Sequence, residues 1–312
     1  TSPVTFLATA NAARMCGAPV IFADVDPNTG LMTAETIENA LSKSDIKIKV
    51  ITVVHLGGRV CDLKAISKVA KKYNCLLVED ACHAPGAIIN DQNDNYKIGD
   101  CKYSVACTFS FHAIKHITMG EGGCINTNDH KIMSDVDLFR NHGMQKDSSN
   151  FINIPEKNAL WYYEMHELGW NYRADELSCA LGLSQLSRLD ENIEKRISIA
   201  KLYDDHLCNT KYIQLPPVEG YDKSNVWHLY PLKIDFNSLK KSRGEIMQSL
   251  MSVGIGTQVH YIPLFMQPYY NSKEKNFPGS MQYYLSTLSI PLYPNLSNND
   301  VKFISSKIKK II

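Results

Sequence analysis

The sequence has no long apolar run, no surplus of either charge and no paired-cysteine spacing, and each absence removes a class of function. No stretch of the 312 residues approaches the apolar length of ~18–20 residues that a membrane span requires, so no membrane partner is expected. Lys and Arg number 33 against 32 Asp and Glu, a formal net charge of +1. That balance gives no electrostatic case for nucleic acid or an anionic membrane surface. The nine cysteines (Cys16, Cys61, Cys75, Cys82, Cys101, Cys107, Cys124, Cys179 and Cys208) are odd in number and contain no CxxC pair. They read as reduced thiols, several buried in apolar runs, rather than as disulfides or a zinc site, so no metal is expected. A basic-then-apolar leader is missing too, which leaves secretion unsupported and a cytoplasmic location expected. There is no internal repeat and no low-complexity segment. The opening "TSPVTFLATANAARMCGAPVIFADVD" reads as though it starts inside a domain, so an N-terminal truncation is expected.

What is present suffices for a sizeable core. Hydrophobic residues make up 44% of the chain, and the length suggests two domains. The first half alternates. "PVIFADV" (19–25) reads as a short strand, "TAETIENALS" (33–42) as a helix capped by Thr33, and "KVITVV" (49–54) as a buried parallel strand. "DLKAISKVAKKYN" (62–74) is an amphipathic helix and "CLLVED" (75–80) another buried strand. Strand, helix, strand, helix, strand defines an α/β layered domain. The proline-free stretch 173–207 predicts one long linking helix with a charged, solvated second half. Beyond it, "VWHLYPLKID" (226–235) and "TQVHYIPL" (257–264) read as strands, and 242–254 and 299–312 as helices. This gives a large domain over 1–205 and a smaller α+β domain over 206–312.

In such sheets ligands gather at the carboxyl ends of the strands. His55, Asp80 and Ser110 sit at such ends. Asp80, in "LLVEDACHAPGA", can be a helix cap or a buried acid facing a cationic heterocycle, with His83 three residues on. Lys115, in "FSFHAIKHITMGEGG", can be a solvated loop lysine or an imine-forming amine with a lowered pKa. Ser110 lies five residues before it, and the glycines of "GEGG" allow close approach. An acid after one strand and a lysine one element later suggest pyridoxal 5′-phosphate, which needs a lysine to hold it and an acid on its pyridine nitrogen. An aromatic or imidazole over the ring, Phe6 or His83, would hold it flat.

The stretches "TFLATANA", "GAPVIFADVDP", "VHLGGRVCDL", "VEDACHAPGA", "FSFHAIKHITMGEGG", "FRNHGM", "GWNYRADELSCALGLSQL" and "QVHYIPL" together resemble the DegT/StrS-type nucleotide-sugar aminotransferases. The nearest subgroup makes UDP-linked 4-amino sugars for pseudaminic acid. The resemblance implies fold type I of the pyridoxal phosphate-dependent transferases (aspartate aminotransferase-like), with a mostly parallel sheet flanked by helices and a smaller C-terminal α+β domain. It implies Lys115 as the cofactor-holding lysine, Asp80 as the pyridinium partner and His83 beside the ring's phenolic oxygen. Ser110 takes the role of a phosphate- or substrate-contacting serine, and Phe6 that of the aromatic covering the ring. Asn171 corresponds to an asparagine reaching the phosphate or substrate of a neighbouring subunit, which implies a homodimer with shared active sites. Gln258, Val259, His260 and Tyr261 correspond to the segment that contacts the nucleotide sugar. The implied activity is transamination of a 4-keto-6-deoxy nucleotide sugar with glutamate as donor. Relatives that act as dehydratases or deoxygenases replace the lysine with histidine, so Lys115 argues against that alternative. The family's hydroxyl-rich phosphate-binding turn precedes the position of Thr1. The chain as it stands is therefore expected to bind cofactor weakly or not at all, and an inactive fragment is the further alternative.

Overall fold

The computed structural model describes residues 1–91, 94–218, 220–270 and 276–312. Its central sheet is built from strands β1 (Val50–Val54), β2 (Leu76–Asp80), β5 (Ala106–Ser110) and β6 (Gly123–Asn126), in the order β1-β2-β5-β6. β1, β2 and β5 run parallel and β6 returns antiparallel. Between them lie the hairpin β3 (Ile88–Asp91) and β4 (Asp94–Lys97). Val54 pairs with Asp80 and Asp80 with Thr108, so the carboxyl ends of three strands share one edge. The glycines after Lys115 serve the return into β6. Phe111 N donates to Gly122 O, and a Cβ on Gly123 would lie 2.5 Å from Phe109 O.

Helices α1 (Leu7–Met15), α2 (Ala34–Ser42), α3 (Leu63–Lys72) and α4 (His130–Phe139) belong to the same half. Thr33 caps α2 in a capping box with Thr36, as its sequence position predicts. In α3 the apolar stripe Leu63, Ile66, Val69 and Ala70 faces the core. That core holds Ile51 and Val53 from β1, Leu77 from β2 and Ile37 from α2.

The expected single helix over 173–207 is two helices, α5 (Glu176–Leu186) and α6 (Leu189–Leu207). They separate a surface helix from a buried one. None of α5 is buried, whereas α6 buries Ile193, Arg196, Ile199, Ala200, Tyr203 and Leu207 along one stripe. The second half of the stretch is thus amphipathic rather than solvated. Apart from Arg196, its charged residues lie outside that buried stripe. β7 (Met144–Gln145) and β8 (Glu164–Met165) form a small ribbon ahead of α5.

A second core packs α6 against β9 (Ile213–Gln214), β10 (Tyr230–Ile234) and β11 (Thr287–Ile290), an antiparallel sheet in the order β11-β10-β9. Helices α7 (Phe236–Leu239), α8 (Arg243–Met251), α9 (Pro278–Ser286) and α10 (Asn298–Ile311) complete this part. Three expected strands differ. Residues 19–25 are extended and bury Phe22, Ala23 and Val25, but among the described residues their backbone bonds only to Thr1 and forms no ladder, while the Asp24 carboxylate accepts from Gly279 N and Ser280 N. Residues 257–264 contribute one bridge, Gln258 to Ser289, and then leave the sheet edge, with Leu264 N donating to Pro3 O. The strand expected over 226–235 narrows to β10, because Val226 and Leu229 donate instead to Gly58 O and Gly57 O.

Candidate active site

The carboxyl edge of the sheet places Asp80 and Ser110 two register positions apart, since Thr108 lies opposite Asp80. Asp80 is half-buried and held on both oxygens. Thr9 Oγ1 donates to Oδ2 at 2.7 Å, and Cys82 N donates to Oδ1 at 3.2 Å. Ser110 Oγ accepts from His112 N at 3.3 Å, which leaves its hydroxyl proton available. His55, the third strand-end residue, is spent elsewhere. Its Nδ1 accepts from Cys61 N, so its Nε2–H donates to buried Glu79 at 3.0 Å.

Lys115 follows β5 after a short loop, and its own N–H bonds to His112 O. No carboxylate forms an ion pair with its amine among the described residues. Partial burial lowers its pKa, against the opposing pull of Cys82 and Asp80. Desolvation favours the neutral amine, the form that attacks a carbonyl. Cys82 turns its thiol to the same place, and burial plus the Asp80 charge push that thiol up.

His83 is buried and accepts from Gly57 N at its Nδ1, 3.2 Å away. Burial and the Lys115 charge keep its ring neutral. The proton therefore sits on Nε2, which faces the Tyr261 hydroxyl at 3.4 Å. The turn that positions His83 depends on glycine. Gly58 has φ +96, and a Cβ there would lie 2.8 Å from the amide nitrogens of Trp227 and His228. Behind His83, the His228 ring lies tilted by 30° at 4.2 Å between centroids, and His116 lies 5.2 Å from His228. His116 Nε2 donates to Val226 O at 2.9 Å, which is a packing role. His112 stays near the surface, 3.6 Å from Glu121.

The segment 258–261 reaches the same region from the second core. His260 Nδ1 contacts Ser289 Oγ at 2.9 Å, and burial, with the Lys115 charge, lowers its pKa to about 4. Gln258 Oε1 accepts from Val259 N. Tyr261 sits 6.1 Å, ring to ring, from Phe6, which is 57% exposed and free to cover a planar ligand. Asn171 stands apart. It is exposed, bridges to Asn141, and shares no hydrogen bond with this group among the described residues.

The structure therefore joins Asp80, His83, Lys115, Phe6, His260 and Tyr261, with Ser110 at the same strand edge. Three neighbours, Thr9, Cys82 and His228, escape a reading of the sequence. Thr9 had one available signal: it falls three residues after Phe6, so both lie on one face of the first turn of α1.

A mostly parallel sheet with this lysine and acid at its carboxyl edge is a pyridoxal phosphate-dependent transferase of fold type I. The sequence profile of the DegT/DnrJ/EryC1/StrS aminotransferase family matches residues 1–309, and the chain belongs to that family. It is an aminotransferase whose cofactor is pyridoxal phosphate. The spore coat polysaccharide biosynthesis protein SpsC of Bacillus subtilis is 36% identical over all of this chain and 78% of its own length. The UDP-4-amino-4,6-dideoxy-N-acetyl-beta-L-altrosamine transaminase of Campylobacter jejuni is 36% identical with the same coverage. Among solved structures, Helicobacter pylori PseC, an aminotransferase involved in the biosynthesis of pseudoaminic acid, superposes with a TM-score of 0.84. It is 30% identical, and the match covers 99% of this chain and 78% of that one.

The residues present fit the cofactor. The Lys115 amine is partly desolvated and has no acid partner among the described residues. The Asp80 carboxylate accepts from Thr9 and the Cys82 amide and bonds to the Cys82 thiol, and of its roughly four lone-pair positions it keeps one for a ring N–H. The His83 Nε2–H is fixed by tautomer.

Proposed function

We propose that the enzyme transfers an amino group from glutamate to the 4-keto carbon of a UDP-linked, N-acetylated 4-keto-6-deoxy hexose. The product is the 4-amino sugar, for a surface glycan or pseudaminic acid. The observation that carries this reading is the Lys115 amine, lowered in pKa and within the field of Asp80. The Campylobacter relative and the Helicobacter neighbour support the choice of substrate.

Bound pyridoxal phosphate supplies an electron sink for the carbanion formed when the donor loses its α-proton. Lys115 Nζ would hold the cofactor and could take and return that proton, which is general acid–base work suited to a depressed lysine. Asp80 would face the pyridine nitrogen and keep it protonated. His83 would offer Nε2–H to the phenolic oxygen, Phe6 would cover the ring and Ser110 would bind the phosphate or the sugar. Gln258, His260 and Tyr261 contact the nucleotide sugar with their side chains and Val259 does so through its backbone. We take 1–205 and 206–312 as the two domains, with α6 linking their cores.

A homodimer with shared sites is part of this reading. Exposed Trp161, Leu168, Trp170, Leu177 and Leu183 offer an apolar surface beside Asn171, which a second copy would cover. Asn171 of one subunit would then serve the site of the other. Among the described residues no helix is long and apolar enough to cross a membrane, and the substrates proposed are cytoplasmic metabolites.

The test is a screen of 4-keto UDP- and dTDP-sugars with glutamate, following 2-oxoglutarate release. Turnover is expected with UDP-linked N-acetylated sugars. Turnover confined to dTDP-sugars, or none at all, overturns the substrate assignment.

A further inference from the structure

We infer that Thr9, backed by Thr5, is a positioning residue that sets the angle at which the Asp80 carboxylate meets the pyridine nitrogen of bound cofactor. The inference rests on the role proposed for Asp80. Thr9 sits on the first turn of α1, 71 positions from Asp80, and its Oγ1 donates to Asp80 Oδ2 at 2.7 Å. That proton is committed to the carboxylate. The 3.0 Å contact between Thr5 Oγ1 and Thr9 Oγ1 therefore has Thr5 as its donor. A directed chain results, from Thr5 to Thr9 to Asp80, and its first member is buried at 3% exposure.

The geometry gives this chain a purpose. The terminal torsion of an aspartate is broad and soft, so an unrestrained carboxylate rocks. Here Thr9 donates to Oδ2 and the Cys82 amide to Oδ1, and the Cys82 thiol also bonds to the carboxylate. Thr9 and Cys82 come from different elements, so the carboxylate plane is tied to both α1 and the β2 terminus. One lone-pair direction remains for a ring N–H. A hydroxyl-to-carboxylate bond is also stronger than a neutral one. Phe6 lies on the same turn, so α1 delivers both the ring cover and the support for Asp80.

The experiment compares wild-type holoenzyme with Thr9→Val, Thr9→Ser and Asp80→Asn. It measures the pyridoxal phosphate dissociation constant and the pH midpoint of the bound cofactor's visible absorbance. Valine keeps the shape of threonine without its hydroxyl. Thr9→Val is expected to weaken cofactor binding about ten- to a hundredfold, as for a lost hydrogen bond to a charged group. It should also move the absorbance midpoint, and Thr9→Ser should restore both. Unchanged values in Thr9→Val, with Asp80→Asn shifting both, overturn the role of Thr9 alone. Unchanged values in Asp80→Asn overturn the role of Asp80 itself. If Thr9→Val does not fold, Thr5→Val carries the test. It removes only the second donor and should shift both values the same way by less, and no shift overturns the inference.

Discussion

Acid should weaken this protein through histidines that folding strips of water. His116 is 4% exposed, its Nε2 donates to Val226 O, and its Nδ1 has no partner among the described residues. Burial, followed by the Arg196 charge, holds its pKa near 3 against an ordinary 6.5, with the Lys115 charge adding to the effect. The unfolded chain takes up this proton as pH falls through 6.5, whereas the folded chain refuses it until about 3. Stability from this group is therefore complete above pH 6.5 and is lost as pH falls toward 3. At pH 4.5 the loss from His116 alone is roughly 3 kcal/mol, a large part of the ~5–15 kcal/mol that holds a typical protein folded. His260, lowered to about 4, adds to the loss over an overlapping range. The assay is urea unfolding followed by tryptophan fluorescence between pH 7.5 and 4.5, for wild type and His116→Gln. Glutamine keeps a donor for Val226 O and cannot titrate. The variant should be less stable at pH 7.5 but lose roughly 3 kcal/mol less on acidification. Equal losses in both proteins would refute the reasoning.

Two further substitutions test the scaffold. Gly58→Ala places a Cβ 2.8 Å from two backbone nitrogens at φ +96 and should cost roughly 3 kcal/mol in urea unfolding. Ser242→Ala removes the capping box of α8 and should cost about 1 kcal/mol in thermal unfolding, with turnover per folded enzyme unchanged.

Much of the scaffold is legible in the sequence because its signals are local. Strand β1 announces itself as an apolar β-branched run and β2 as a short apolar run ending in two acids, and α2 and α3 by caps and stripes. The acid at the end of β2 and the lysine after β5 follow from strand ends and loop composition. The errors arise where distant contacts decide. The run 19–25 is apolar enough for a strand, but among the described residues its backbone bonds only to Thr1. Residues 226–229 would extend β10, yet the Val226 and Leu229 amides go to Gly58 O and Gly57 O instead. The charge in α6 suggests a solvated helix because a stripe of one buried residue per turn is easily outweighed by the charges around it. His228 stays invisible for the same reason: its partner His83 lies far away in the chain, and no spacing within "VWHLYPL" points to it. Thr9's partner Asp80 is as distant, and only its place three residues after Phe6 ties it to the site.

The central claim is that Lys115 holds the cofactor and moves the proton. Borohydride reduction of the holoenzyme, followed by peptide mass mapping, tests it most directly. A phosphopyridoxyl label on the peptide containing Lys115, with turnover lost in Lys115→Ala, is the predicted result. A label on another lysine, or full turnover in Lys115→Ala, would contradict it.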